Sequence, residues 1–269
     1  MKELYRYLRL TVLFAKKDIK GMLSYRYSFL INCISQALDY SMTFLFMWVM
    51  ISAFEDMNGW NAYEVMFLYA FSLFAYGIAG TFFFNIMNTL PGQIREGSFD
   101  DVLAKPVKVL PYLISRSFIC NYAAHMTLSG IMMAVCFHKL QIPVTVFYGI
   151  RIMGILLCGS LIYAGLFLFV SGSAFFAVRI NALFQIMFFF REVSYYPVSI
   201  FPKVIQVIVT VVIPYGFVNF YPLQSVLGKN DGFFGGQAAG AGGFAAVLFF
   251  AAACLFFEKG AKSYKSSGS

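Results

Sequence analysis

The sequence predicts an all-α integral membrane protein with several spanning helices, and three observations carry that reading. Of its 269 residues, 60% are apolar and only 12% charged, about half the charged fraction of an average soluble domain. Mean hydropathy is +0.75, and the chain holds 33 Phe and 17 Tyr, which excludes a disordered chain and argues against a water-exposed globule. The ionisable residues are bunched, leaving charge-free runs at 65–94, 117–138, 152–178, 204–228 and 232–257. Each run exceeds the roughly 18 apolar residues that mark a spanning helix. Such unbroken runs also disfavour a transmembrane β-barrel, whose strands read as alternating segments of about 10 residues. Spans consume nearly the whole chain, so residues 1–265 read as a single transmembrane domain and 266–269 as a flexible tail.

The elements follow in order. Residues 1–26 place Leu4, Leu8, Val12, Ala15, Ile19 and Met22 at helical spacing, with Arg6, Arg9, Lys16, Lys17 and Lys20 mostly off that stripe. A basic amphipathic helix of this kind lies in the plane of the membrane interface. Its basic residues are scattered rather than gathered ahead of an apolar core, so no cleavable signal is expected. A first span is expected at 27–54, interrupted by Asp39 and closed by Glu55-Asp56 and an Asn58-Gly59 turn. A second, 63–88, leads into a polar segment, 89–111, that Pro91-Gly92 opens and Pro106 and Pro111 close. Within it Ile94, Phe99, Val102 and Leu103 are the apolar contacts of a short helical stretch edged by Arg95, Glu96, Asp100 and Asp101. A third span, 112–137, ends at His138-Lys139, and a fourth, 147–174, follows the Pro143 loop. The fifth is expected at 180–197 and the last at 238–257. Between these two, Pro197, Pro202, Pro214 and Pro222 fall within 26 residues. Proline inside a helix removes a hydrogen bond and clashes with the preceding turn. Residues 201–227 are therefore expected to form a re-entrant pair of short helices, sheltered by protein at membrane depth.

Charge asymmetry supports six spans. With the N-terminus cytoplasmic, 15 of the 20 Lys and Arg fall inside. Lys139, Arg151, Lys203 and Lys229 fall outside, and Arg191 is left in or near the membrane. Counting 204–228 as a seventh span sends the basic C-terminus to the wrong side. The net charge of +8 is thereby explained by topology and lipid headgroups, and no nucleic-acid partner is expected.

No catalytic constellation is legible. His125 and His138 belong to no metal-binding pair, no G-x-S-x-G elbow occurs, and Gly228-Lys229 lacks the rest of a phosphate-binding loop. Cys33, Cys120, Cys136, Cys158 and Cys254 all sit in apolar segments with no C-x-x-C pair and read as packing residues. No metal is expected on the chain. Four intramembrane features stand out. Asp39, costly near a span's middle by about 2.5–3.5 kcal/mol, reads either as a contact for a cationic substrate or proton, or as a partner for Arg191 or a neighbouring helix. Arg191-Glu192 reads as a pathway pair or as a helix-end ion pair near the outer interface. His125 reads as a hydrogen-bonded packing residue. Gly236-x-x-x-Gly240 permits close helix approach or marks a flexible turn. Two classes compete from the residues alone: a membrane subunit that docks on a soluble partner through 89–111, and a stand-alone ion-coupled transporter or channel using Asp39 and Arg191.

Larger patterns add to this. The run Gln93-Ile94-Arg95-Glu96-Gly97-Ser98-Phe99-Asp100-Asp101-Val102-Leu103-Ala104-Lys105-Pro106-Val107 resembles a stretch of bacterial ABC exporter permeases of the type-2 superfamily. The runs Tyr195-Tyr196-Pro197-Val198-Ser199-Ile200-Phe201-Pro202 and Ile213-Pro214-Tyr215-Gly216-Phe217-Val218-Asn219-Phe220-Tyr221-Pro222, and the tail Gly260-Ala261-Lys262-Ser263-Tyr264, are similar to the same family. The resemblance implies six spans behind an interfacial helix and a cytoplasmic coupling region over 93–106. It places Gln93, Ile94, Arg95, Glu96, Gly97, Phe99, Asp100, Asp101, Leu103 and Pro106 in that region, with Phe99 where the pattern more often has Leu. It also implies an outer re-entrant gate over 201–227, with Pro197, Pro202, Pro214, Asn219, Tyr221 and Pro222 at or beside it. Two permeases, identical or homologous, would pair across a central path in the bacterial inner membrane, with both termini cytoplasmic. Two ATPase subunits would dock on the coupling regions and carry the ATP and Mg, this chain binding no cofactor itself. The aromatic-rich spans, with Phe82-Phe83-Phe84 and Phe188-Phe189-Phe190, either suit hydrophobic or amphipathic cargo or simply pack against lipid.

Overall fold

In the computed structural model, which describes residues 2–53, 58–177, 179–235 and 237–265, every regular element is helical. The helices are α1 (Lys2–Ser24), α2 (Arg26–Ala53), α3 (Ala62–Arg95), α4 (Asp100–Leu103), α5 (Val109–Arg116), α6 (Ala123–Lys139), α7 (Val146–Ser173), α8 (Asn181–Val193), α9 (Lys203–Val207), α10 (Phe220–Leu227) and α11 (Gln237–Ser263). Glu55-Asp56, Gly236 and the 266–269 tail lie outside the described residues.

The core is a row of long helices, with α7 packed between α3 and α11, and α6 on the far side of α3. Small residues allow these close approaches, since packing rather than water exclusion holds helices together in lipid. A Cβ at Gly165 of α7 would stand 2.8 Å from the Phe249 ring and 3.4 Å from the Phe250 Cα of α11. One heptad on, a Cβ at Gly172 would stand 3.3 Å from the Phe257 Cα. On α3, Gly80 gives its space to the Tyr122 ring, 2.6 Å from where a Cβ would sit. Gly240, by contrast, has open space around it.

α3 begins with a capping box: Asn61 Oδ1 accepts from the Glu64 N–H at 3.0 Å, and Glu64 Oε2 accepts from the Asn61 N–H at 2.8 Å. It continues without a break through Pro91 to Arg95, seven residues past the expected span end at 88. At 34 residues it is about 51 Å long, well beyond a hydrocarbon core of about 30 Å.

Three helices, α3, α7 and the 240–263 portion of α11, are long and apolar enough to cross a membrane. Two bent pairs raise the number to as many as five: α5 with the Cys120–Lys139 helix, bent by 57°, and 203–212 with 215–227, bent by 78°. The helices at the expected spans 27–54 and 180–197 fall short of this measure. α2 has 28 residues, but Asn32, Ser35, Gln36 and Asp39 dilute its apolar content. α8 has 13 residues, a rise of about 20 Å that falls short of the hydrocarbon thickness.

Each bend has a physical cause and a set of partners. In the second pair, α9 runs into a π-helical turn at Ile208–Val212 and breaks at Ile213-Pro214 before α10. Gln206 donates to Phe201 O at 2.8 Å and accepts from Phe233 N at 2.8 Å. Gln224 exchanges two 3.0 Å bonds with the backbone of Asp231. Asn219, fully buried, donates to Leu68 O of α3 at 3.1 Å and to Ser194 O after α8 at 2.9 Å. In the first pair, Ile119 N reaches Thr81 O of α3 at 3.0 Å, and Cys120 N reaches Asp18 Oδ2 of α1 at 2.8 Å.

α1 lies against α5 through Tyr7, Leu10 and Phe14. Its Leu8, Val12, Ile19 and Leu23 stay exposed, an apolar stripe that the bundle leaves uncovered. At the end of the bundle that holds the Asn61 cap, Lys229 Nζ pairs with Glu64 Oε2 at 3.0 Å, their side chains only 19% and 11% exposed. The ammonium also lies 4.7 Å from the Trp60 ring centroid.

Replacing Gly165 by Leu should overpack the α7–α11 seam by about 1–3 kcal/mol and lower the melting temperature of the detergent-solubilised protein by several degrees. Gly154→Ala, where nothing lies within 4 Å, should not lower it. Lys229→Met should cost about 2 kcal/mol, between an exposed and a buried pair. Adding Glu64→Gln should recover part of that loss in a double-mutant cycle of thermal unfolding; strictly additive losses would show that the two side chains act independently.

Candidate functional site

Three places hold the residues singled out by the sequence. The first is the 93–106 segment, whose expected short helix is the end of α3 followed by a single separate turn, α4. Gly97, at φ +75°, makes the corner between them, and Phe99 N returns to Gln93 O at 3.2 Å. The segment has two faces. Phe99 is fully buried, 5.3 Å from the Phe175 ring after α7 and 5.1 Å from the Tyr264 ring after α11. Val102 is buried beside it, and Gln93, Ile94, Gly97 and Asp100 are half-buried. Arg95, Glu96, Asp101, Leu103 and Pro106 are exposed, Leu103 by 41%. Of the expected apolar contacts, Phe99 and Val102 are thus buried, Ile94 is half-buried and Leu103 is exposed. Phe99, the N-cap residue of α4, packs inward against the ends of α7 and α11, while Leu103 at the end of the same turn is left exposed.

The N-terminal helix clasps this segment. Arg6 donates to Pro106 O at 2.8 Å, and Tyr7 accepts from the Lys108 N–H at 3.0 Å. Glu3 lies 3.1 Å from Lys108 Nζ and, by hydrogen bond and charge, raises that ammonium's pKa above its ordinary value. Both side chains are about 70% exposed, so the pair adds little stability.

The second place is a polar cluster inside the bundle. Arg191, near the end of α8, is half-buried. Its guanidinium lies 4.8 Å from the Tyr76 ring centroid, 5.0 Å from Phe188 and 5.8 Å from Tyr195. Tyr76 stands near the middle of α3, so Arg191 sits at the depth of the bundle's centre rather than near the outer interface, because α8 stops short. Among the described residues it pairs with neither Asp39 nor Glu192: the ion pairs are Glu3–Lys108 and Glu64–Lys229. Asp39 and Glu192 are both exposed. Around Arg191, His125 Nε2 is hydrogen-bonded to the Tyr40 hydroxyl, as a packing histidine should be. Ser72 and Tyr163 hydroxyls meet at 2.6 Å, and Tyr215 donates to Met187 O at 2.9 Å. Rings link the cluster across helices: Tyr69 to Tyr195 at 4.6 Å, Tyr76 to Tyr163 at 5.3 Å, Tyr163 to Tyr215 at 5.7 Å.

Sequence reasoning found Arg191, Asp39 and His125 singly and missed the tyrosines that join them. A signal existed: Tyr69 and Tyr76 stand one heptad apart in a charge-free run, and a hydroxyl there needs a partner.

The third place is the bent 201–227 pair. Pro197, Pro214, Asn219, Tyr221 and Pro222 are buried and Pro202 is exposed. The pair is sealed by Trp60, whose ring lies 5.5 Å from Phe220. Among the described residues no group of His, Cys, Asp and Glu has metal-binding geometry.

No curated protein and no solved structure matches the chain. A family model described as "ABC-2 family transporter protein" matches residues 37–268, a stretch that takes in the 93–106 segment, the Arg191 cluster and the bent pair. The chain belongs to the ABC-2 transporter family, as the membrane permease component that works with an ABC ATPase subunit.

Proposed function

We propose that this chain is the permease of an ATP-driven exporter, built from two permeases, identical or homologous, and two ATPase subunits. The observation that supports the reading most directly is the two-faced 93–106 segment. Its outward side, with Arg95, Asp101, Leu103 and Pro106, offers a small apolar contact rimmed by charge. Its inward side, Phe99, is locked among aromatics from the ends of α7 and α11. A partner that pushes on Leu103 therefore moves both long helices through Phe99. ATP and Mg belong to the ATPase subunits, whose closure and opening drive alternating access.

In this reading the six spans are α2, α3, α5–α6, α7, α8 and α11, with 201–227 re-entering on the outer side as a gate. The two expected spans with weak length or hydropathy, α2 and α8, are the ones that a second permease and a central path would cover. Both termini and the 93–106 segment face the cytoplasm of a bacterial inner membrane, and α1 lies in its interface with Leu8, Val12 and Ile19 in lipid. The cargo is a small hydrophobic or amphipathic molecule moved outward.

The test is capture of an ATPase by detergent-solubilised protein. Leu103→Asp, an exposed change, should cut the co-purifying ATPase by at least about tenfold, the scale on which a single apolar anchor contributes to a protein interface, with an unchanged melting temperature. Phe99→Ala should lower the melting temperature by removing about 3–5 kcal/mol of buried packing. Undiminished capture by the Leu103 variant would remove this segment as the docking site. Transport by the lone chain down an ion gradient would replace the ATP-driven reading altogether.

A further inference from the structure

Arg191 is a cation at the depth of the bundle's centre for which the described residues supply no counter-charge. A guanidinium there costs about 2.5–3.5 kcal/mol on insertion scales, and chains that keep one normally pair it. Here its Nε is shut in without a hydrogen-bond partner, and its neighbours are the rings of Tyr76, Phe188 and Tyr195. Ring faces attract the cation without neutralising it. The residue is nonetheless only half-buried, so the cluster is open on one side.

The helix bordering that cluster is also unusual. On α2, Ser28, Asn32, Ser35 and Asp39 recur at spacings of four, three and four and are all exposed, set among the equally exposed Ile31, Ile34 and Leu38. Next to Asp39, Tyr40 bonds His125, whose ring lies 6.2 Å from the Tyr76 ring that carries Arg191.

We propose that Arg191 is the anchor for an anionic head group, a carboxylate, sulfonate or phosphate, on an apolar body, with the half-buried ring of Phe188 meeting the apolar part and the buried rings of Tyr76 and Tyr195 backing the guanidinium. A guanidinium offers the planar fork that such groups accept, and the aromatic collar excludes a fully polar anion. The inference rests on the permease reading and names its substrate class.

The experiment uses the full chain in phosphatidylcholine nanodiscs and two fluorescent probes, dansyl-labelled undecanoic acid and its methyl ester. The wild-type protein should bind the acid at least about tenfold more tightly than the ester, the scale of one charge-assisted hydrogen bond. Arg191→Gln should erase that preference and Arg191→Lys should keep part of it. Equal binding of acid and ester by the wild type overturns the proposal even if the Gln variant fails to fold, and so does an undiminished preference in a folded Gln variant. Nanodiscs containing phosphatidylglycerol separate the two sources of the anion: competition with the probe assigns the site to a lipid headgroup, and no competition assigns it to a dispersed amphiphile. ATPase capture through Leu103 is read on the same preparation, so a chain that captures the ATPase yet ignores the charge of the probe fails this inference alone.

Discussion

A helix that breaks inside an apolar bundle must bring its own hydrogen-bond partners, and the architecture of this permease depends on that constraint. In apolar surroundings, freed N–H and C=O groups cost several kcal/mol each if left bare. The chain breaks near 117–122 and at 213–219, and both sites are served by neighbouring elements. Asp18 of α1 and the Thr81 carbonyl of α3 take the exposed N–H groups at the first. At the second, Asn219 Oδ1 accepts from the Phe220 N–H, and the Asn219 amide ties the corner to the carbonyls of Leu68 and Ser194. Through Asp18, Thr81 and Asn219 each break also acts as a staple: α1 and α3 are held to the α5–α6 corner, and the bent pair is held to α3 and to the end of α8.

The staples explain why charged and polar residues cluster where they do. Asn219 holds the carbonyl of Ser194, which fixes the end of α8, and Arg191 stands three residues before it. The short α8 leaves it beside Tyr76 and Tyr195. The position of the buried cation is thus a consequence of where the chain turns.

The sequence made the three most apolar spans legible because periodicity and hydropathy act locally: 63–88, 147–174 and 238–257 correspond to α3, α7 and α11. The proline-driven break at Pro214 was legible for the same reason, since proline's missing donor acts within its own turn. His125 was legible as a lone histidine that needs a hydroxyl. What escaped were properties that exist only between elements. Phe99 and Leu103 look alike in sequence, and only the ends of α7 and α11 decide that one is buried and the other exposed. Arg191 and Glu192 look like a pair, yet adjacent residues on a helix point about 100° apart. The tyrosines around Arg191 come from separate helices, so no single stretch shows them together.

These between-element contacts also define how the two ends of the protein communicate. α3 and α7 are each continuous, and both touch two clusters. Near one end they meet the Phe99 group through Ile86, Leu90 and Leu168, with Phe175 following α7. Farther along they meet the Arg191 group through Tyr76 and Tyr163. A helix interior hydrogen-bonded without a break transmits a tilt with little loss, whereas a broken one absorbs it. The chain places its breaks in α5–α6 and in the 203–227 pair, and keeps the two helices that join the clusters whole. In the proposed mechanism a displacement at the 93–106 segment would reach the half-buried guanidinium along α3, as a movement of Tyr76 against Arg191. The bent elements around it, stapled but not rigid, are the parts able to give way.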